Sequence, residues 1–142
     1  MNDVDLLSSV SMGRKITGVI YSDLGQAGGF MKLDWVRETL LEKLGFVPYP
    51  GTLNLRLESE KEMAAWRELN GGKEGFDITP PDPSFCLARC FLVEIEGIYR
   101  GAVIRPQVDG YPPDKLEVIA PLRLKDGLKL KDGDRITIEF KG

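Results

Sequence analysis

The sequence predicts a mainly β protein with two short helices, folded as a small six-stranded β-barrel. Six segments are rich in β-branched and aromatic residues or alternate apolar with polar residues, as strands do. Many links between these segments are short, which antiparallel strands tolerate and parallel strands do not. Closing the sheet into a barrel would also remove its unpaired edges.

The chain has 142 residues and a net charge of −3, which fits one domain with a sizeable core. We expect residues 1–13 to form a flexible tail and residues 14–142 to form a single barrel domain. The first twelve residues carry two acids and no base, so they do not resemble a secretory signal. No apolar run is long enough to span a membrane. We expect a cytoplasmic monomer that binds neither a membrane nor nucleic acid, since its negative charge disfavours phosphate backbones.

Histidine is absent from the chain, which excludes histidine-based acid–base catalysis, Ser-His-Asp and Cys-His arrangements, and zinc sites that contain histidine. The two cysteines, Cys86 and Cys90, lie four residues apart in a hydrophobic run. Two cysteines without further ligands make a poor metal site. We therefore expect buried free thiols that behave as small apolar residues.

The first strand is predicted over residues 14–22, followed by a glycine-rich loop from Asp23 to Phe30. Such a loop can direct backbone N–H groups at a phosphate, although it can equally be a plain turn. Asp34 is predicted to cap the N-terminus of a helix whose apolar residues recur at helical spacing. Gly45 follows Leu44 and is predicted to end this helix.

Residues 45–57 contain two prolines, Pro48 and Pro50, that hold the chain extended, and polar and apolar side chains alternate after Gly51. Alternate residues of a strand share a face. The core face would carry Leu53, Leu55 and Leu57. The opposite face would carry Thr52, Asn54 and Arg56, which offer a hydroxyl, an amide and a guanidinium. These groups could hold a hard cation and phosphates, or they could simply be the solvated side of a strand.

Ser59 and Glu62 have the spacing of a capping box, which predicts a second helix. Residues 71–84 are rich in glycine and proline and are predicted to form a loop. Strands are then predicted over Phe85–Glu94 and Ile98–Arg105, joined by a hairpin turn.

A second irregular loop is predicted over Pro106–Asp114. The next predicted strand, Lys115–Ala120, places Glu117 on the face opposite its apolar residues. Two Leu-Lys-Asp-Gly turns follow, and Asp134–Phe140 is predicted to be the last strand.

Three segments resemble, in order and spacing, the signature of the CTP-dependent riboflavin kinases known from archaea. These segments are Gly45–Leu55, Leu116–Leu124 and Leu128–Asp134. The resemblance runs from about Lys15 to Phe140, which is nearly the whole chain.

This resemblance implies a cradle-loop β-barrel that transfers the γ-phosphoryl group of CTP to the 5′-hydroxyl of riboflavin, giving FMN and CDP. It implies Mg²⁺ as the cofactor, with Thr52 and Asn54 as its ligands, and a contact between Glu117 and the flavin. The nucleotide-binding residues that it implies are Asp23, Leu24, Gly25, Gln26, Ala27, Gly28, Leu122, Arg123, Leu124 and Lys125.

The residues themselves add two catalytic candidates. Arg56 lies on the same strand face as the metal motif and could contact a phosphate. Glu117 is the carboxylate best placed to orient the acceptor hydroxyl or to take its proton. Phosphoryl transfer needs mainly alignment and charge neutralisation, so the lack of histidine is no obstacle.

The sequence departs from the family pattern in two loops. In the nucleotide loop, only Gly25 of a Gly-x-Gly-x-Gly motif is in place, and Asp23 would repel phosphates unless it turned outward or faced the metal. In the flavin loop, Asp109 and Tyr111 stand where the family usually carries Thr-x-His. We expect both to bind the acceptor. Three outcomes stay open: a riboflavin kinase with a rearranged flavin loop, a CTP-dependent kinase of another alcohol that Asp109 recognises, or a binding protein without kinase activity.

Overall fold

The computed structural model of the chain describes residues 14–22, 33–79 and 88–141. Within this part of the chain there are seven strands and three helices, and the third helix has only four residues. In chain order the elements are β1 (Lys15–Tyr21), α1 (Asp34–Leu44), β2 (Leu53–Arg56), α2 (Glu60–Gly71), β3 (Phe76–Ile78), β4 (Ala88–Ile95), β5 (Tyr99–Pro106), β6 (Lys115–Ile119), α3 (Leu124–Gly127) and β7 (Arg135–Phe140).

Six strands form a closed antiparallel barrel in the order β4-β5-β6-β2-β1-β7, and β7 pairs back onto β4. The predicted six-stranded barrel is therefore confirmed. The additional strand, β3, pairs with the first half of β4, along the edge whose second half pairs with β7. The sequence did not predict β3, because its three residues lie among the glycines and prolines of the predicted loop 71–84.

The barrel interior holds the main core. Leu53, Leu55 and Leu57 all point into it, as the alternation predicted. Helix α2 covers part of this core with Trp66, whose ring lies 5.2 Å from that of Phe91. Packing of these large apolar side chains supplies most of the driving force that closes the barrel.

A second core lies outside the barrel, where α1 packs on β4, β5 and β6. Gly45 ends α1 in the left-handed conformation, as predicted. The predicted cap at Asp34 is wrong: Leu33 occupies the N-cap position without a side-chain bond, and Asp34 is the first helical residue, where its charge favours the helix dipole. Cys90 is a buried free thiol in this core, as expected, whereas Cys86 lies outside the described residues.

Two glutamates complete the hydrogen bonding of the barrel strands. Strand β1 pairs with β2 from Val19 onward, and the earlier N–H of Thr17 donates to Glu62 Oε2 at 3.1 Å. Ser59 caps α2 because its hydroxyl accepts from the Glu62 N–H at 3.1 Å, which is one of the two hydrogen bonds of the predicted capping box. The Glu62 carboxyl instead accepts from the Thr17 N–H of β1. On β7, the N–H of Thr137 donates to Glu96 Oε2 at 2.7 Å.

None of the helices in the described ranges combines the length and the apolar character that crossing a membrane requires.

Candidate functional site

The polar row that begins before β2 meets a carboxyl group from β6. Asn54 on β2 lies opposite Glu117 on β6 in the strand register. The Thr52 hydroxyl lies within hydrogen-bonding distance of two oxygens, Glu117 Oε1 at 3.3 Å and Asn54 Oδ1 at 3.5 Å. Thr52, which the sequence assigned to the metal, therefore contacts both the other predicted metal ligand and the predicted acceptor residue Glu117.

A cavity of about 320 Å³ opens at the end of the barrel beside this row. The segment before β2 forms one wall, because the Tyr49 N–H donates to the Ala120 carbonyl at 2.7 Å and Pro50 and Gly51 then turn the chain. The lining residues that the sequence had assigned to metal or nucleotide are Thr52, Asn54, Leu122, Arg123, Leu124 and Lys125. Two sets of predicted residues thus share one cavity.

A hydrogen-bonded cluster fixes the cationic side of this cavity. Asp132 accepts from Ser22 Oγ at 2.6 Å and from Lys125 Nζ at 3.0 Å. The hydrogen bond from Ser22, followed by that from Lys125, holds the pKa of Asp132 below its ordinary value. Lys125 is therefore held at the cavity wall next to Ser22. The predicted nucleotide loop at residues 23–28 begins at the next residue and lies outside the described residues.

Glu117 lies behind Thr52 and is 5% exposed. Its second oxygen, Oε2, accepts a hydrogen bond of 2.6 Å from the Tyr111 phenol. Burial, followed by the hydrogen bond to Glu117, raises the pKa of Tyr111, so the phenol remains a donor. Two cations flank the Tyr111 ring, with Arg105 Cζ 4.9 Å and Lys115 Nζ 5.6 Å from its centroid.

The other two predicted residues lie further out. Arg56 is not among the residues that line the cavity, and its guanidinium carbon lies 4.5 Å from the centroid of the Tyr21 ring. Tyr21 does line the cavity, so Arg56 contacts the site through this ring. Asp109 is exposed in the loop that precedes Tyr111.

Sequence reasoning missed three residues of this site, namely Tyr21, Ser22 and Asp132. Tyr21 and Ser22 were assigned only to a strand, and Asp132 only to a turn within the family-like segment Leu128–Asp134, without a role in the site. Asp132 joins Ser22 across 110 positions of the chain. No local pattern encodes such a contact, and its sequence signals were the position of Ser22 next to the glycine-rich loop and that of Asp132 in the family-like segment Leu128–Asp134.

Comparison with known proteins places the chain in a family. The model of the family CTP-dep_RFKase, described as a domain of unknown function (DUF120), matches residues 20–140. The chain belongs to this CTP-dependent riboflavin kinase family.

Curated proteins named riboflavin kinase are similar to it. The one from Archaeoglobus fulgidus is 42% identical over 129 residues, covering 88% of this chain and 54% of that protein. The one from Methanosarcina acetivorans is 37% identical over 135 residues, covering 89% and 54%. The one from Methanocella arvoryzae is 39% identical over 134 residues, covering 93% and 57%. The chain spans about half the length of the curated relatives it matches.

The donor set of this member of the CTP-dependent riboflavin kinase family suits a hard cation. The described residues contain no group of three or more histidine, cysteine, aspartate or glutamate side chains that could form a metal site alone. Thr52 and Asn54 instead present two neutral oxygens to the cavity, 3.5 Å apart. Mg²⁺ prefers oxygen ligands and commonly takes the rest of its shell from water and substrate phosphates. The residues present therefore fit a magnesium–nucleotide complex better than a protein-only metal site.

Proposed function

We propose that this chain catalyses CTP-dependent phosphorylation of riboflavin, giving FMN and CDP. The observation that carries the proposal is the position of Thr52, which lines the cavity on one side and contacts Glu117 on the other. A nucleotide in the cavity and an alcohol at Glu117 would meet at this residue. The names of the family and of the curated relatives support CTP as donor and riboflavin as acceptor.

The cavity residues would bind the nucleotide. Lys125, held by Asp132, and Arg123 would supply positive charge on the wall that faces Thr52. Thr52 and Asn54 would hold Mg²⁺ together with the phosphates of CTP. When bound, this ion would neutralise the negative charge that develops on the phosphates during the reaction. The segment 23–28 would complete the nucleotide site.

The acceptor side supplies orientation. Glu117 would accept a hydrogen bond from the 5′-hydroxyl of riboflavin and receive its proton as the oxygen attacks. A bond forms between this oxygen and the γ-phosphorus of CTP, and the bond from the γ-phosphorus to the β–γ bridging oxygen breaks. CDP then leaves with the bridging oxygen. Protein groups need only align these atoms, since phosphoryl transfer requires little covalent help.

A second candidate function is phosphorylation of a different alcohol by CTP. The observation that favours it is the acceptor loop, where Asp109 is exposed and Tyr111 contacts Glu117 directly. A carboxylate and a phenol at these positions could recognise an acceptor whose polar groups differ from those of the flavin.

A substrate panel tests both candidates. Purified protein is incubated with Mg²⁺ and CTP, ATP, GTP or UTP, each with and without riboflavin, and thermal shift and product formation are measured. We expect CTP alone to raise the melting temperature, and CTP with riboflavin to give equal amounts of CDP and FMN.

The other results of the panel separate the alternatives. CDP that appears only with another alcohol would support the second candidate. A shift with CTP and no turnover with any acceptor would indicate a binding protein. If neither CTP nor riboflavin shifts the melting temperature, the proposed site is wrong. Asn54→Ala should abolish CDP formation. Glu68→Gln serves as the control and should leave CDP formation unchanged, because Glu68 forms an exposed ion pair with Arg14 at the other end of β1.

A further inference from the structure

Both oxygens of Glu117 are engaged in this structure. Thr52 lies 3.3 Å from Oε1, and the Tyr111 phenol donates to Oε2 at 2.6 Å. Glu117 as a whole is 5% exposed, so little of the residue is open to a further partner. Oε1 faces the cavity side, because Thr52 lines the cavity. Because Glu117 is almost fully buried, the phenol covers the approach to Oε2, and an alcohol that comes from the side opposite the cavity meets the phenol first.

The loop that carries Tyr111 is weakly attached elsewhere. All of residues 107–113 except Tyr111 are exposed. The backbone bonds within the loop are long, with Tyr111 N–H to the Val108 carbonyl and Lys115 N–H to the Pro112 carbonyl both at 3.4 Å. Gly110 adopts a φ of 82°, which a residue with a side chain would rarely adopt. The phenol and ring of Tyr111 are therefore the main anchor of this loop.

From this arrangement we propose that Tyr111 is a latch on the acceptor side and a determinant of acceptor specificity. Its phenol holds the place on Glu117 Oε2 that the acceptor hydroxyl takes during turnover. Binding of the acceptor exchanges one hydroxyl donor for another and releases the 107–113 loop. The inference rests on the proposed function, because it assigns the acceptor site of the same reaction.

The latch favours acceptors that carry a hydroxyl group at the right place. Such an acceptor replaces the lost hydrogen bond to Oε2, so the exchange is nearly balanced. A flavin without the ribityl chain, such as lumiflavin, offers no hydroxyl and would leave a buried carboxyl oxygen without its donor. The latch would therefore reject it, although its ring system is the same.

Hydrogen exchange tests the latch without any substrate. Tyr111→Phe keeps the ring that Arg105 and Lys115 approach but removes the hydroxyl. We expect amide exchange of residues 107–114 to become several-fold faster in the ligand-free variant, while the barrel strands keep wild-type rates. Val108→Ala, an exposed change in the same loop, serves as the matched control and should leave exchange unchanged. Equal loop exchange in Tyr111→Phe and the wild type would overturn the latch.

Kinetics test its role toward the acceptor. If the phenol competes with the acceptor, Tyr111→Phe should lower the KM for riboflavin by about three- to tenfold, because less free enzyme is closed. The kcat and the KM for CTP should change by less than about twofold. Lumiflavin binding, followed by quenching of its fluorescence, should strengthen in the same variant by about the same factor.

The outcomes separate the latch from the proposed function. A variant with a lower kcat and an unchanged KM would show that Tyr111 positions Glu117 for the reaction, which overturns the latch. Wild-type protein that turns over neither riboflavin nor another alcohol would overturn the proposed function. In that case the exchange experiment still decides whether the Tyr111 hydroxyl holds the loop closed.

Discussion

Thr52 Oγ1 lies 3.3 Å from Glu117 Oε1, although the two residues are 65 positions apart in the chain. The contact follows from the antiparallel pairing of β2 and β6, which sets Asn54 opposite Glu117. A shift of β6 by one residue would turn Glu117 toward the barrel core, and the same shift of β2 would turn Asn54 inward. The apolar residues that alternate with the polar ones therefore fix the register of the site as well as the core.

The hydroxyl of Thr52 should be essential, and its methyl group should not. Thr52→Val keeps the shape but removes the oxygen, so we expect CDP formation at saturating CTP and riboflavin to fall by roughly 100-fold. Thr52→Ser keeps the oxygen and should stay within about fivefold of the wild type. The measurement is CDP release at several Mg²⁺ concentrations.

A matched control is available on the barrel wall. The Thr137 hydroxyl contacts that of Thr17, at 2.7 Å, and neither residue lines the cavity at the proposed site. Thr137→Val should keep wild-type turnover. Equal activity of Thr52→Val and the wild type would show that the Thr52 oxygen has no role in the reaction.

Asp132 should affect nucleotide binding through Lys125. Because its pKa is lowered, the carboxylate is ionised at neutral pH and holds both Ser22 and Lys125. Asp132→Asn should raise the KM for CTP by about two- to fivefold, a modest effect since exposed ion pairs are weak. The kcat should stay near the wild-type value, which steady-state assays with varied CTP would show.

Lowering the pH should act on the same contact. Protonation of Asp132 removes the ion pair with Lys125. The difference in KM for CTP between Asp132→Asn and the wild type should therefore shrink when the pH falls below the ordinary aspartate pKa. A constant difference across this range would mean that the charge of Asp132 is not what positions Lys125. Glu68→Gln, which breaks the exposed pair with Arg14, should leave the KM for CTP unchanged at every pH.

The local patterns of the sequence were sufficient for the barrel. Alternation and runs of β-branched residues located all six barrel strands, and Gly45 located the end of α1, because these signals depend on neighbours in the chain. The three-residue strand β3 was missed, since its hydrogen bonds come from β4 rather than from its own sequence. The cap at Asp34 was wrong because composition alone cannot show which residue leaves the helix geometry.

From the residues alone, the candidate site was predictable only where its members lie on or next to one strand. Thr52 and Asn54 follow from alternation, and the family resemblance added Glu117 and the segment 122–125. Contacts between distant segments were not predictable, including the Tyr111 phenol on Glu117 and Asp132 on Ser22. The position of Arg56 relative to the cavity was not predictable either, because Arg56 stacks on Tyr21 of the neighbouring strand.

Cys90 should be unreactive in the folded protein. It is fully buried under α1, and burial raises the pKa of its thiol to about 12. Iodoacetamide at pH 8 should leave Cys90 unlabelled in native protein and label it in urea, as peptide mapping would show. Labelling of native Cys90 at the unfolded rate would contradict its burial.

The same burial predicts a dependence of stability on pH. The thiol has a folded pKa near 12 and an ordinary value of 9.0. Its stabilising contribution to the free energy of unfolding is therefore fully present below about pH 9. As the pH rises from 9 toward 12, the unfolded state loses the proton first and stability falls by about 1.4 kcal/mol per pH unit. Cys90→Ala should not show this fall in stability. Parallel urea titrations from pH 8 to 10.5 would show whether the two curves converge.

Gly101 should be required for the close approach of β5 to β6. A Cβ atom at this position would collide with the backbone oxygen of Ile119 and lie 2.6 Å from Ile95 Cδ1. Strand β6 would have to move, so Gly101→Ala should reduce the free energy of unfolding by about 1–3 kcal/mol. Gly71, the last residue of α2, has open space within 4 Å of the position that a Cβ would take, and Gly71→Ala should be neutral or stabilise by up to about 1 kcal/mol. Urea unfolding would measure the free-energy change of both variants, provided that the m-value is unchanged. Equal midpoints for the two variants would contradict the predicted collision.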